Sequence, residues 1–167
     1  TTHLRRLHNL GNTCYGNALL ACLSRLSLIR GWLAAHSQKI LANAWHDKHR
    51  CAICRLNTDL QQLTQRDTSE PYVPKTMECV PLWSPNFEEG VQQDAQEAFQ
   101  ALFQACDKCT VEQLQTDAQA PSPVVVTDDM RDGTPYYHIC GGVYKSTIRC
   151  KSCKRNSTRF EHFTTLQ

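Results

Sequence analysis

With 167 residues, 41% of them hydrophobic, the chain can bury one substantial core and part of a second, which excludes a disordered polypeptide. Its 18 basic and 16 acidic residues leave a formal net charge of +2, which gives no reason to expect a nucleic-acid partner. No apolar run approaches the roughly 20 residues of a membrane span and no basic-then-apolar signal opens the chain, so a soluble cytoplasmic or nuclear protein with no membrane partner is expected.

The first element to be read is Asn9-Leu10-Gly11-Asn12-Thr13-Cys14-Tyr15-Gly16-Asn17, a polar turn that delivers a cysteine onto the first turn of an apolar helix. Gly11 permits positive φ, and Asn12 and Thr13 are N-cap types. Ala18, Leu19, Cys22, Leu23 and Leu26 recur at helical spacing, which predicts a helix to about Arg25. The first N–H groups of a helix lack intrahelical partners and carry the positive end of its dipole, so a thiol placed there ionises more easily. Cys14 is the candidate nucleophile.

Leu28 to Ala35 reads as a turn and a short helical piece, and Lys39 to His49 is polar and unassigned. From Cys51, the residues Ala52, Ile53, Leu56, Leu60 and Leu63 predict an amphipathic helix ending near Gln65. Pro71, Pro74, Pro81 and Pro85 break the following connector. A helix is expected from Val91 or Gln92, burying Ala95, Ala98, Phe99, Leu102 and Phe103, with Asp94 and Glu97 near its positive end. Val111 to Ala118 reads as a further helix, and a flexible loop follows to Pro135. Tyr136 to Gly142 and Val143 to Cys150 read as β segments. Cys150-Lys151-Ser152-Cys153 closes a hairpin, and Ser157 to Phe163 returns along it.

Six of the ten cysteines form C-x-x-C pairs: Cys51/Cys54, Cys106/Cys109 and Cys150/Cys153. That spacing suits a tetrahedral zinc better than a disulfide framework. Cys150 and Cys153 make half of such a site at the hairpin tip. Cys51 and Cys54 follow His46 and His49, which together form a possible four-ligand set; core packing of the two thiols beside solvated histidines is an equal alternative. Cys106 and Cys109, expected at a helix end, fit simple helical packing.

The stretch Leu7 to Leu23 resembles the cysteine box of the ubiquitin-specific proteases, papain-like thiol hydrolases that cleave after the C-terminal glycine of ubiquitin. The resemblance implies that Cys14 is the nucleophile and Asn9 the side-chain oxyanion donor. Gly16 departs from the larger apolar residue usual in the family, and a glycine there costs up to about 1 kcal/mol of helix propensity. Gln92-Gln93-Asp94-Ala95-Gln96-Glu97 resembles a second signature, implying that Asp94 and Gln93 hold the extended ubiquitin tail. Ala98 replaces the phenylalanine usual there, and Phe99 is the residue available to fill its space. The last segment is similar to the start of the zinc-bearing fingers, entered through Gly141-Gly142.

The resemblance implies an α+β fold: a papain-like helical thumb over residues 1–120, a flexible loop over 121–135 and the first strands of the fingers over 136–167. Ubiquitin and ubiquitinated proteins are the implied partners, and zinc the implied structural cofactor. In the family the histidine base lies downstream of the fingers. Here His3, His8, His36, His46, His49, His138 and His162 are each expected to be solvated, so the chain is read as a fragment that is inactive alone. The alternative function is a non-catalytic, zinc-containing ubiquitin-binding or scaffold module.

Overall fold

The computed structural model describes residues 3–40, 47–65, 69–83, 86–88, 90–117 and 133–163. The chain is α+β and divides into two compact units, Thr1–Val124 and Val125–Gln167. No single helix among the described residues is long and apolar enough to cross a membrane.

The first unit is helical. Helix α1 spans Cys14–Leu23, α2 Ser27–Ile40, α3 Ala52–Thr64 and α4 Ala95–Asp117, with a 3-10 segment at Met77–Leu82 between α3 and α4. Helices α1, α3 and α4 pack on one another, and α2 packs on α3. Leu20 and Leu23 of α1, Ile29 and Leu33 of α2, Ile53, Leu56, Leu60 and Leu63 of α3, and Leu102, Phe103 and Val111 of α4 are almost wholly removed from water. Their three- and four-residue spacing on each helix builds one continuous apolar face per element. Trp32 stacks on Phe103 at 6.1 Å between ring centres, and Phe99 lies 4.7 Å from the same ring, beside the fully buried Ala98.

Several expectations need correction here. The short piece at Leu28 to Ala35 belongs to a 14-residue helix. Helix α4 begins at Ala95 rather than Val91 or Gln92, because the Asp94 carboxylate caps it. It then runs without a break through Val111, so no separate helix starts there. Cys106 and Cys109 therefore sit within α4, not at its end. The predicted loop before residue 133 lies outside the described residues, as does Ala118.

In the second unit, Tyr136 to Cys140 is helical, not β. Pro135 occupies the first turn of α5 (Pro135–Cys140), and the Thr134 hydroxyl accepts a hydrogen bond from the Tyr137 N–H as its cap. This threonine–proline start outweighs the β preference of two tyrosines and an isoleucine. Strands β1 (Gly142–Arg149) and β2 (Asn156–Phe163) pair antiparallel, from Gly142 opposite Phe163 to Arg149 opposite Asn156. The Phe163 ring covers Gly142, where an added Cβ would come within 2.7 Å of it. The predicted hairpin is therefore present, with Cys150 and Cys153 in its turn.

Candidate functional site

The thiol of Cys14 stands exposed at the first position of α1. Asn9 shapes the loop before it. Its Oδ1 accepts from the Gly11 N–H at 3.1 Å, the Thr13 N–H at 3.1 Å and the Thr13 hydroxyl at 2.9 Å. The chain reverses through positive φ at Gly11 (97°) and Asn12 (53°), a conformation that glycine and asparagine tolerate best.

Thr13 is the N-cap residue of α1, yet its hydroxyl is engaged with Asn9 and with the Leu10 N–H at 3.0 Å, and it makes no cap bond to the helix. The Thr13 side chain therefore satisfies none of the first-turn donors of α1. Because three donors converge on the Asn9 oxygen, the other end of that amide is Nδ2, which donates to nothing among the described residues. One loop thus carries a reachable thiol, the Cys14 N–H and an exposed amide donor.

The loop is fastened on three sides. Asn12 Nδ2 donates to the Gly90 carbonyl at 2.9 Å, in the segment that leads to Asp94. Asn17 Nδ2 reaches from α1 to the His8 carbonyl at 3.1 Å, while its buried Oδ1 has no partner among the described residues. Leu7 makes a parallel bridge with Tyr72, through Tyr72 N–H to Arg6 carbonyl and His8 N–H to Tyr72 carbonyl bonds of 2.8 Å each. The role of Asn17 was not anticipated; an amide in the second turn of an apolar helix, where asparagine is a modest helix former, was its only local signal.

Tyr72 in turn rests on Asp59 of α3. That buried carboxylate accepts from the Tyr72 hydroxyl, the Lys75 N–H and the Thr76 N–H, each at 2.8 Å, and from the Thr76 hydroxyl. Burial pushes the Asp59 carboxyl above its ordinary value, and the bonds from Thr76, Tyr72 and Lys75 pull it back. The same burial, with Asp59 beside it, pushes the Tyr72 phenol up.

Asp94 is exposed and Gln93 half-buried immediately before α4. Asp94 Oδ1 takes both cap bonds, from Gln96 N–H at 2.7 Å and Glu97 N–H at 3.2 Å. Among the histidines, His36 is buried with its Nε2 3.9 Å from the Cys51 sulfur, correcting the expectation that it is solvated. The α2–α3 packing encloses it. His3, His8, His49, His138 and His162 are exposed, and His46 lies outside the described residues. Among the described residues none hydrogen-bonds the Cys14 sulfur.

Cys150 and Cys153 are both exposed. The Cys150 thiol is held below its usual value by the Cys153 N–H first and the Ser152 N–H second, with help from the Cys153 thiol. Backbone N–H groups aimed at a sulfur suit a thiolate metal ligand, so this turn fits half of a zinc site. Cys51 is buried and Cys54 half-buried at the start of α3.

The helical unit thus presents a cysteine on a loop organised by Asn9, and a two-cysteine hairpin follows it in sequence. The chain belongs to the ubiquitin carboxyl-terminal hydrolase family, whose model matches residues 5–164. It is similar to ubiquitin carboxyl-terminal hydrolase 36 of Drosophila mojavensis, with 28% identity over 162 residues, covering 95% of this chain and 13% of the relative. Ubiquitin carboxyl-terminal hydrolase 25 of Arabidopsis thaliana is 24% identical over 156 residues, 92% of this chain and 23% of the relative. Among solved structures, a chain of the SAGA Ubp8/Sgf11/Sus1/Sgf73 DUB module bound to ubiquitin aldehyde shares the fold at a TM-score of 0.68 and 20% identity. That match covers 98% of this chain and 34% of that one. This chain thus spans only a minor part of the length of the proteins it matches.

Proposed function

We propose that the chain is the nucleophile-bearing part of a deubiquitinating cysteine protease, the helical unit serving as its thumb and the hairpin as the start of its zinc-bearing fingers. The observation that carries the reading is the exposed Cys14 thiol at an uncapped helix start, on a loop organised by Asn9. Cys14 attacks the carbonyl of ubiquitin's terminal glycine. The Cys14 N–H and Asn9 Nδ2 stabilise the oxyanion, a lysine amine departs, and water then hydrolyses the thioester. Asp94, with one oxygen occupied in capping α4, and Gln93 hold the extended ubiquitin tail.

Among the described residues no histidine hydrogen-bonds the Cys14 sulfur, and on this reading the 167 residues alone turn over no substrate. Zinc bound by Cys150 and Cys153, which make half of a tetrahedral ligand set, would hold the fingers together as a structural ion. The enzyme works in the cytoplasm, the nucleus or both.

The test uses a protein extended through the rest of the catalytic domain, incubated with ubiquitin carrying a C-terminal electrophile. A covalent adduct that Cys14→Ala abolishes is expected, and the 167-residue chain should label far more slowly. No adduct, or one that survives Cys14→Ala, overturns the assignment and favours a non-catalytic scaffold.

A further inference from the structure

The turn that carries Cys14 also carries an amide whose presence packing does not explain. Asn17 follows Cys14 by three residues, so the two side chains leave α1 on the same side. Its Nδ2 donates to the His8 carbonyl at 3.1 Å, and its Oδ1 is buried with no partner among the described residues. A carbonyl accepts only from the NH2 end of an amide, so this bond fixes which way the side chain faces. A buried acceptor without a donor costs stability, and asparagine is a modest helix former. An apolar residue at this position of an apolar helix would avoid both costs. What it would lack is the bond to His8.

That bond adds little to folding, because His8 is exposed and its carbonyl would turn to water if Asn17 were shortened. Its effect falls on Asn9. Both polar groups of the His8 backbone are held, the N–H by the Tyr72 carbonyl at 2.8 Å and the carbonyl by Asn17. The His8 carbonyl lies in the planar peptide unit that ends at the Asn9 nitrogen, so fixing it fixes the stem from which the Asn9 side chain projects. The far end of that side chain is fixed separately, by the three donors that converge on Oδ1. With both ends held, Asn9 Nδ2 has one direction. The Asn17 N–H donates to the Thr13 carbonyl at 3.0 Å, closing the first turn of α1, so the same residue is joined rigidly to Cys14. Through Asn17 the thiol-bearing turn sets where the Asn9 amide lies.

We infer that Asn17 is a positioning residue for acyl transfer at Cys14, holding the His8–Asn9 peptide so that the Asn9 amide meets the developing oxyanion. The inference rests on the proposed hydrolase reading and adds a residue to it. Asn17 touches no reacting atom and moves no proton. A displaced donor stabilises the oxyanion poorly while leaving the binding of ubiquitin as it was, so its loss lowers kcat and spares KM.

The experiment uses the protein extended through the rest of the catalytic domain, with hydrolysis of a ubiquitin C-terminal amide as the assay. Asn17→Ala should lower kcat about 10–100-fold at nearly constant KM, since a misplacement of about 1 Å can cost about 100-fold. Its melting temperature should stay level or rise, because the substitution removes the orphaned oxygen and favours the helix. Alkylation of Cys14 by iodoacetamide, which forms no oxyanion, should keep its native rate. Affinity for ubiquitin aldehyde, whose thiohemiacetal places an oxygen where the oxyanion forms, should fall by a factor comparable with the loss in kcat. In an Asn9→Ala background, Asn17→Ala should lower kcat no further, because it acts through Asn9.

A native kcat in Asn17→Ala, an equal loss with Asn9 already truncated, or a fall in kcat matched by slower alkylation and a lower melting temperature would each overturn the assignment. If the unsubstituted extended protein hydrolyses nothing, the hydrolase reading fails and takes this role with it. An active protein in which Asn17→Ala changes nothing removes this role alone.

Discussion

The helical unit and the hairpin unit are held by different means. In the first, long apolar side chains on four helices are almost wholly buried. In the second, two paired strands leave nearly every side chain in water, Ile148 at 71% and Phe160 at 67% exposure. A two-stranded hairpin is marginal by itself, so backbone pairing needs a further constraint, which a metal held by Cys150 and Cys153 would supply. The sharpest way to break this comparison is a matched pair of truncations. Phe103→Ala should cost the helical unit about 3–5 kcal/mol, whereas Ile148→Ala should change stability by no more than about 0.5 kcal/mol. Urea unfolding followed by far-ultraviolet circular dichroism reads both, and a large effect at Ile148 would mean that the exposed strands carry more of the fold than their burial implies.

The next largest effect concerns how the helical unit fixes its cysteine loop. Asp59 connects α3 to Tyr72, and Tyr72 to the strand-like approach at Leu7. Asp59→Ala strands the Lys75 and Thr76 donors and should cost about 2–4 kcal/mol, given about 1–3 kcal/mol for each buried group left unsatisfied. It also gives a pH signature. A carboxyl held above its unfolded value binds its proton more tightly in the fold, so its contribution is complete below the unfolded value and is lost as pH rises through the folded one. Stability should therefore slope downward across the region just above pH 4 in the native chain, and Asp59→Asn should remove that slope. A slope of opposite sign would show that the four hydrogen bonds outweigh burial.

What could be read from sequence divides along the same line. Helices α1 and α3 were legible because apolar residues at helical spacing are bounded by cap residues within a few positions. The hairpin was legible because Cys150 to Cys153 punctuates two alternating runs. Helix α5 was misread because Tyr136, Tyr137 and Ile139 favour strands, while the deciding signal was the two residues before them, Thr134 as cap and Pro135 in the first turn. Burial of His36 and its approach to Cys51 depend on packing between helices, which no local pattern encodes. The cysteine loop itself was read at its two ends, Asn9 and Cys14. That Thr13 binds Asn9 instead of capping α1 is a choice between two hydrogen bonds available to the same hydroxyl, and only the folded loop makes it.

The smallest predicted effect tests how closely the two sides of the helical unit meet beneath Cys14. Gly16 follows Cys14 by two positions, and a Cβ there would lie 2.1 Å from the Met77 sulfur, so the thioether fills the space a larger side chain would take. Methionine is flexible enough to move, but Met77 is itself only 3% exposed and has little free volume to move into. Gly16→Ala should therefore lose about 1–3 kcal/mol to overpacking and recover up to about 1 kcal/mol in helix propensity, a net cost near 1 kcal/mol. In a Met77→Ala background the clash is gone and only the propensity gain remains, so the same substitution should become neutral or slightly stabilising. A double-mutant cycle on urea midpoints isolates that change of sign. If Gly16→Ala costs as much with Met77 truncated as with it intact, the glycine is needed for its backbone rather than for the thioether, and the close approach of the 3-10 segment to α1 has no energetic consequence.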